Sequence, residues 1–354
     1  MIDFTSSLYL GMRHPSHALE PWAQLTSGKP AALGKPPRRA RAVTQALAEL
    51  QGCERVTLLP STLHLFSDLF ETLRRDGIRL YMDAATYPMA RWGAERAAAR
   101  GAPLRLVPHF DAAAVERLIA EDVESGLVPV IVADGFCAIC GRPAPLRQYL
   151  RSVADYGGYV VLDDTQALGI WGAAPTPHHP YGSGGGGSLR RHGIGSPQII
   201  VGSSLAKAFG VPTAALGGSA AFIRRFERES ETREHASPPS IAEWHAAEHA
   251  LQANRLTGDE TRRRLASLVA CFRREIRRIG LRPARSLFPV QALTSAPEAS
   301  AIRLHQALGD SGILTALVHG CADPEPRLTF VINATHTVGD IARAASVLTA
   351  ALER

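Results

Sequence analysis

Short apolar runs alternate with amphipathic stretches along most of the chain. The runs have the length and the β-branched or leucine-rich composition of buried strands, and they lie at residues 56–59, 80–83, 128–134, 160–163 and 199–201. The amphipathic stretches place apolar residues at helical spacing, and the clearest lie at residues 38–51, 112–120, 146–156 and 241–279. This alternation predicts an α/β fold with a doubly wound, mainly parallel sheet and right-handed crossovers.

The two ends of the chain depart from this alternation. Residues 1–37 are rich in proline and glycine and show no sustained period, which predicts an N-terminal arm with short turns. We expect residues 38–250 to form one large domain and residues 251–354 to form a smaller α+β domain. In the smaller domain we expect strands at residues 290–293, 314–318 and 328–332, a helix at residues 301–308 and a last helix capped by Thr337 and Asp340.

Two of the predicted strands are followed by charged side chains that could bind the same ligand. One is followed by Asp163, and the loop after the next strand carries Lys207. Ligands of parallel sheets bind at the carboxyl ends of the strands, so we expect both side chains at one edge of the sheet. Such a pair suits pyridoxal phosphate (PLP), because a lysine amine forms a Schiff base with its aldehyde and a carboxylate keeps its pyridine nitrogen protonated. Ser203 and Ser204 are predicted to donate hydroxyls to the phosphate.

A family resemblance extends this interpretation. Residues 163–172 resemble the Asp-Asp/Glu-Ala-His-x-x-Gly-x-x-Gly signature of the PLP-dependent α-oxoamine synthases, the group of 8-amino-7-oxononanoate synthase, glycine C-acetyltransferase and serine palmitoyltransferase. Residues 204–210, Ser-Leu-Ala-Lys-Ala-Phe-Gly, resemble the lysine motif of that family. Weaker likenesses at residues 6–11 and 334–337 extend the resemblance over nearly the whole chain, in the same order. It implies fold type I of the PLP-dependent transferases.

The resemblance also assigns cofactor roles to further residues. Tyr87 stands where the family has a histidine that stacks on the pyridine ring, and a phenol ring can stack as well. Ser61, Thr62 and Leu63 fall on the turn that holds the phosphate in the family, at the start of a helix whose N–H groups attract an anion. His235 precedes a proline pair and is expected to reach the phosphate of a second subunit in a homodimer.

Simpler structural roles fit some of these residues. A lone lysine in a loop of small residues is usually a solvated surface group, and a lone aspartate after a strand is usually a helix cap. Ser61 fits a plain N-cap, and Tyr87 fits a turn residue before a proline. The joint occurrence of Asp163 and Lys207, each after a strand and in family order, favours a cofactor site.

Three positions depart from the family. Gln166 replaces the histidine that contacts the cofactor's phenolic oxygen, and an amide can hydrogen-bond but cannot exchange a proton. Ala138 replaces a nearby serine. Thr329 falls where the family arginine binds the amino-acid carboxylate, and Arg327 lies two residues away on the same face of a predicted strand. Either Arg327 binds the carboxylate instead, or the substrate is not an ordinary α-amino acid.

The resemblance implies a divergent, homodimeric member of the family that condenses an amino acid with an acyl thioester and releases CO2. Lys207 then holds the cofactor and moves protons, Asp163 maintains the electron sink, and Tyr87 stacks on the ring. An aminotransferase is an alternative within the same cofactor class. The three departures favour a third hypothesis, a catalytically silent relative that serves as a binding or regulatory protein.

Composition and charge exclude some other classes of partner. The chain has 354 residues, of which 45% are hydrophobic, so it can bury a large core. Its formal net charge is +6, but the basic residues lie in short scattered groups without interleaved aromatic residues, so we expect no nucleic-acid partner. No apolar run reaches the length of a bilayer span, and the N-terminus lacks the features of a signal peptide. We therefore expect a cytoplasmic protein with no membrane partner.

The cysteines and a glycine-rich run predict no additional site. Five cysteines, an odd number spread along the chain, argue against a disulfide scaffold. Cys137 and Cys140 form a single C-x-x-C without a second pair, and we interpret them as small buried residues near the cofactor, with no metal.

Residues 182–187 match G-x-G-x-x-G, but no strand directly precedes them, so a dinucleotide site is not expected. We expect residues 172–195 to form a flexible surface loop, able to cover the active site.

Overall fold

The structure is a computed structural model that describes residues 1–14, 16–18, 22–34, 36–293, 298–320 and 325–353. Cys321 therefore lies outside the described residues. In chain order the elements are β1 (Ile2–Asp3), α1 (Arg38–Gln51), β2 (Arg55–Leu59), α2 (Thr62–Arg74), β3 (Ile78–Asp83), α3 (Pro88–Ala99), β4 (Leu104–Val107), α4 (Ala112–Glu121), β5 (Val128–Asp134), β6 (Phe136–Cys137), β7 (Arg142–Pro143), α5 (Leu146–Ala154), β8 (Tyr159–Asp163), α6 (Ser188–His192), β9 (Ile199–Ser204), β10 (Ala214–Gly218), α7 (Ala220–Glu229), α8 (Glu231–His235), α9 (Ile241–Arg278), β11 (Val290–Ala292), α10 (Glu298–Asp310), β12 (Ile313–Leu314), β13 (Ala316–His319), β14 (Pro326–Val331) and α11 (Val338–Leu352).

The central sheet has the strand order β2-β10-β9-β8-β5-β3-β4. Strand β10 runs antiparallel to both of its neighbours, and the pairs from β9 to β4 are parallel. The register sets Asp134 of β5 opposite Asp163 of β8, and Asp163 opposite Gly202 of β9. The predicted doubly wound, mainly parallel sheet is confirmed, and its carboxyl edge brings the ends of these three strands together.

Helices cover both faces of this sheet, which explains why its strands are apolar along their whole length. Val130 and Val132 of β5 pack with α2, α3 and α7, whereas Ile131 between them packs with α4 and α5. The apolar face of α2 has no exposed area at five positions, which are Leu65, Phe66, Leu69, Phe70 and Leu73. Each such side chain contributes about 1.5–3 kcal/mol by its burial.

A second, antiparallel sheet with the order β11-β14-β13 forms near the C-terminus and packs against α9, α10 and α11. The predicted strand at residues 314–318 is two short strands, β12 and β13, and β12 pairs instead with β1. Phe4, just after β1, is fully buried in the core of this second sheet. The capping box of Thr337 and Asp340 at the start of α11 is confirmed, whereas the predicted domain boundaries stay a prediction.

The 38-residue helix α9 links the two sheets. Its N-cap Ser240 and Glu243 form a capping box. Arg262, in the middle of the helix, is 2% exposed and donates to Gly169 O at 2.9 Å. Within the described ranges, no helix combines the length with the hydropathy that crossing a bilayer requires.

The glycine-rich segment departs from its prediction. Residues 173–179 are exposed, but residues 185–189 are buried. Asp164, 1% exposed, accepts hydrogen bonds from the backbone N of Ser188 at 2.9 Å and from its hydroxyl. Gly187 has a φ of 85°, and a Cβ at this position would overlap the Asp164 carboxylate. The expected flexible surface loop is therefore wrong for residues 185–189, because a buried carboxylate holds them against the sheet.

The Asp164 carboxyl makes stability depend on pH in a specific direction. Burial raises its pKa from 3.8 to about 7, against the hydrogen bonds from Ser188, which lower it. Between these two values the folded state binds more protons than the unfolded state, so the free energy of unfolding falls as pH rises. We expect Asp164→Asn to remove a slope of up to about 1.4 kcal/mol per pH unit over this range.

Urea unfolding at several pH values measures this slope. Asp155→Asn is the matched control, because Asp155 is an exposed carboxyl at the end of α5. An Asp164→Asn variant with the same pH slope as the unmodified protein would contradict the assignment.

Candidate active site

Two aspartates lie side by side where β5 and β8 end. Asp163 is 6% exposed, and its Oδ1 accepts a hydrogen bond from the backbone N of Thr165 at 3.0 Å. Asp134 Oδ1 accepts one from the backbone N of Tyr87 at 3.1 Å. Burial raises the pKa of both carboxyls, and the Asp163 charge raises the pKa of Asp134 further. The sequence analysis missed Asp134, although it ends a strand that neighbours the strand of Asp163.

Lys207 lies in the turn after β9 and faces this pair. Burial lowers the pKa of its amine, and the charges of Asp163 and Asp134 oppose that shift. The amine Nζ lies 5.8 Å from the centre of the Tyr87 ring. The structure thus brings together the three residues to which the sequence analysis assigned catalytic roles.

Local sequence explains the position of Tyr87. It is the N-cap of α3, and Pro88 at the first helical position holds it in an extended conformation, with φ −60° and ψ 143°. Tyr87 is therefore a turn residue before a proline, as the simpler interpretation expected. Half of its surface is exposed, so one side of the ring is accessible to a ligand.

The predicted phosphate turn opens toward solvent at the start of α2. Ser61 is its N-cap, and its hydroxyl accepts a hydrogen bond from His64 N at 3.4 Å. The first intrahelical bond runs from Leu65 N to Ser61 O at 3.1 Å, so the N–H groups of Thr62 and Leu63 precede the helical ladder. Leu63 is 47% exposed. The N-terminal end of α2 therefore has the geometry of an anion site. Ser61 can serve as the N-cap of the helix and also contribute to this site.

The two serines before Lys207 differ in their surroundings. Ser203 has no exposed area, and its hydroxyl accepts a hydrogen bond from Gln51 at 3.3 Å. Ser204 is partly exposed, and its backbone N donates to the hydroxyl of Thr165 at 2.9 Å. The structure thus presents Ser204, but not Ser203, to the open side of the sheet edge.

Gln166 has a partner that sequence reasoning missed. The buried Tyr9 hydroxyl donates to Gln166 Oε1 at 2.6 Å. Burial raises the pKa of Tyr9, so the phenol remains a donor. Because the amide oxygen is engaged, the amide NH2 of Gln166 is the group left to face a ligand. Tyr9 belongs to the N-terminal run that resembles the family, which is the only signal that pointed to it.

Two further predicted residues lie on other elements. His235 is exposed at the end of α8, and no contact recorded among the described residues joins it to Lys207 or Asp163. Arg327 lies on β14 of the second sheet, opposite Val318 of β13. Thr329, two residues along, is 1% exposed and donates to Arg327 O at 3.0 Å. The roles of His235 and Arg327 stay predictions.

Comparison with known proteins agrees with this geometry. The family model of aminotransferase class I and II matches residues 1–348. An 8-amino-7-oxononanoate synthase of Ralstonia pickettii is 31% identical over 258 residues, which are 71% of this chain and 59% of that protein. One of Alkalilimnicola ehrlichii is 28% identical over 301 residues, which are 84% of this chain and 72% of that protein. The chain thus spans about three fifths of the first relative's length.

A solved structure of SPT with a PLP internal aldimine has the same fold. It superposes with a TM-score of 0.85 at 18% identity, over 99% of this chain and 87% of that chain. The predicted fold type I is confirmed by this likeness, and the predicted resemblance to the α-oxoamine synthases is confirmed by the relatives. Because the family model matches nearly its whole length, the chain belongs to the aminotransferase class I and II family.

Proposed function

We propose that this protein is a PLP-dependent enzyme that condenses an amino acid with an acyl thioester and releases CO2. The observation that carries the proposal is the meeting of Lys207, Asp163 and Tyr87 at the carboxyl edge of the central sheet. The relatives named 8-amino-7-oxononanoate synthase and the SPT structure with PLP support the reaction class and the cofactor.

The buried charges fit this cofactor. Burial raises the pKa of both Asp163 and Asp134, and their charges repel each other, so they favour a cation beside them, and a protonated pyridine nitrogen is such a cation. Lys207, with its lowered pKa, has a larger neutral fraction than an exposed lysine and is a better nucleophile toward an aldehyde. When bound, PLP supplies an electron sink for a carbanion at the substrate's α-carbon.

Other roles, in proton transfer and in binding the cofactor, fall to side chains and backbone groups of this chain. The Lys207 amine takes and returns the proton at the α-carbon. The Tyr87 ring covers the open face of the cofactor and excludes water. Ser61, Ser204 and the N–H groups of Thr62 and Leu63 bind the phosphate. As part of this proposal His235 reaches the phosphate of a second copy, which requires a homodimer, and the enzyme works in the cytoplasm.

Gln166 performs its task without changing its charge. The Tyr9 hydroxyl donates to its carbonyl oxygen, so its NH2 would donate to the phenolic oxygen of a bound cofactor. A histidine at this position would titrate near neutral pH, whereas a glutamine does not. A glutamine at this position would therefore give a bound cofactor a hydrogen bond at that oxygen that does not depend on pH.

The cofactor assignment is tested by visible absorption. The chain has three lysines, Lys29, Lys35 and Lys207, so the site of a Schiff base is easily identified. We expect a Schiff-base band in the purified protein with PLP that is lost in Lys207→Ala and kept in Lys29→Ala. Borohydride reduction followed by peptide mapping should find the pyridoxyl group on Lys207. No band after addition of PLP would overturn the proposal.

A panel of amino acids with and without acyl thioesters then tests the reaction. Loss of CO2 with consumption of thioester supports the proposed condensation. Exchange of amino acids with keto acids supports an aminotransferase. A band that forms on Lys207 without any turnover supports the silent relative, for which the changes at Gln166, Ala138 and Thr329 argue.

Substitutions at Gln166 test the role of its hydrogen bond. We expect Gln166→His to add an ionisation near pH 6.5 to the pH titration of the cofactor band, because a titratable ring then contacts the phenolic oxygen. Tyr9→Phe, which removes one hydrogen bond worth about 0.5–1.5 kcal/mol, should weaken PLP binding roughly 2- to 10-fold without adding an ionisation. Identical titrations of the Gln166→His and unmodified proteins would place Gln166 away from the cofactor.

Arg327 is the proposed partner of the substrate carboxylate. A charge-assisted hydrogen bond contributes about 1.5–3 kcal/mol, so we expect Arg327→Gln to raise the KM for the amino acid roughly 10- to 100-fold at unchanged PLP affinity. Steady-state kinetics measure this effect, with Arg303→Gln as a control, since Arg303 is exposed on α10. An unchanged KM would reject Arg327 and favour a substrate that is not an ordinary α-amino acid.

A further inference from the structure

A histidine and two cysteines converge beside the active site. His109 follows β4, Cys137 ends β6, and Cys140 lies in the turn between β6 and β7. Their potential ligand atoms all lie within 4.8 Å of one another. His109 Nε2 is 3.2 Å from Cys140 Sγ. We propose that His109, Cys137 and Cys140 bind a Zn²⁺ ion, an assignment that the isolated C-x-x-C did not suggest.

The separations between the nitrogen and sulfur atoms of the cluster are close to those of a zinc site. With Zn–S bonds of about 2.3 Å and Zn–N bonds of about 2.0–2.1 Å, a tetrahedral site sets N and S about 3.6 Å apart and two S atoms about 3.8 Å apart. The observed His109 Nε2–Cys140 Sγ separation of 3.2 Å is about 0.4 Å shorter than the tetrahedral value, and the other two separations are no more than 4.8 Å. Binding of the ion therefore requires shifts on the order of one ångström. Two thiolates and an imidazole are also the ligand types that zinc prefers.

A buried carboxylate orients the histidine. Asp83, at the end of β3, is 1% exposed, and its Oδ1 lies 2.8 Å from His109 Nδ1. A carboxylate accepts hydrogen bonds, so the proton is on Nδ1 and the Nε2 lone pair points toward the sulfurs. This is the carboxylate–histidine arrangement that fixes the tautomer and ring orientation of zinc ligands. The His109 ring also stacks on Phe110, with ring centres 3.9 Å apart.

The backbone of both loops is shaped for the cluster. Phe110 adopts a φ of 56°, in the left-handed region that non-glycine residues rarely adopt, and its N–H donates to Asp83 Oδ2 at 2.7 Å. In the other loop the N–H of Cys140 points at Cys137 Sγ, 3.4 Å away, and such a donor stabilises a thiolate. A backbone N–H in each loop thus contacts one polar group of the cluster, the Asp83 carboxylate in the first loop and Cys137 Sγ in the second.

At this location the ion would connect loops that line the active site. The loops that follow β3, β4 and β5 meet at the cluster, and Ala138 lies between the two cysteines, at the position where the family has a serine near the cofactor. A zinc ion would join these loops and fix the wall of the active site beside Asp134. Cys137 is 7% exposed, whereas Cys140 and the His109 side chain are partly exposed, so the fourth coordination position is accessible from solvent.

The test uses the full chain with PLP bound, stripped of metal by a chelator and supplied with one equivalent of Zn²⁺. After desalting we expect about one zinc per chain by elemental analysis. Cys137→Ser, Cys140→Ser and His109→Ala should lose it, whereas Cys53→Ser and Cys271→Ser, which replace cysteines outside the cluster, should keep it. Asp83→Asn should weaken zinc binding 10- to 100-fold in competition with a chromophoric chelator.

Cobalt provides a readout that does not depend on the folding of any variant. In the unmodified protein Co²⁺ should give a thiolate-to-cobalt charge-transfer band together with the strong visible bands of tetrahedral coordination. Absence of these bands, or zinc retained equally in Cys140→Ser and His109→Ala, would overturn the proposal. So would a protein that binds no metal and has a Cys137–Cys140 disulfide, which is identified by the loss of two hydrogens from the peptide that contains both cysteines.

Discussion

Two carboxylates buried against each other are the constraint on which the active-site edge depends. The parallel register of β5 and β8 sets Asp134 opposite Asp163, in a place where burial disfavours both charges. Lys207 only partly compensates, because burial lowers its own pKa. An edge of this kind is stable in its charged form when a cationic ligand occupies it. Under the proposed function this ligand is the protonated pyridine ring of the cofactor.

Regular periodicity made most of the fold predictable. Strand β5 has the predicted bounds, and α9 follows its pattern to within one residue, because long apolar or amphipathic runs have one favourable conformation. Strand β10 was missed because alanine and glycine, which make up most of it, carry no strand signal; its neighbours β9 and β2 define it. The division of residues 314–318 into β12 and β13 likewise depends on pairing with β1 and β14, which are distant in sequence.

The site was predictable only where chemistry coincides with a local motif. Asp163 and Lys207 each follow a strand, and their loops resemble a known family. Asp134 and Tyr9 act through partners on other elements, and no local pattern contains such information. The same limit applies to Cys137 and Cys140, whose spacing acquires a meaning only when His109 is brought beside them. The glycine-rich run was misread for the converse reason, since Gly187 makes room for the Asp164 carboxylate, and Gly185 and Gly186 approach Arg262 and the Leu50 backbone closely.

The length of α9 has a mechanical consequence. Its 38 residues extend over about 57 Å, so a tilt of about 5° about one end displaces the other end by about 5 Å. Arg262 in its middle donates to Gly169 O, and Arg264, two residues on, donates to Ala334 O at 2.8 Å. The central arginines of the helix therefore connect the loop after Asp163 to the segment that follows β14. Because the two donors lie two residues apart on one helix, a tilt of α9 displaces both segments together.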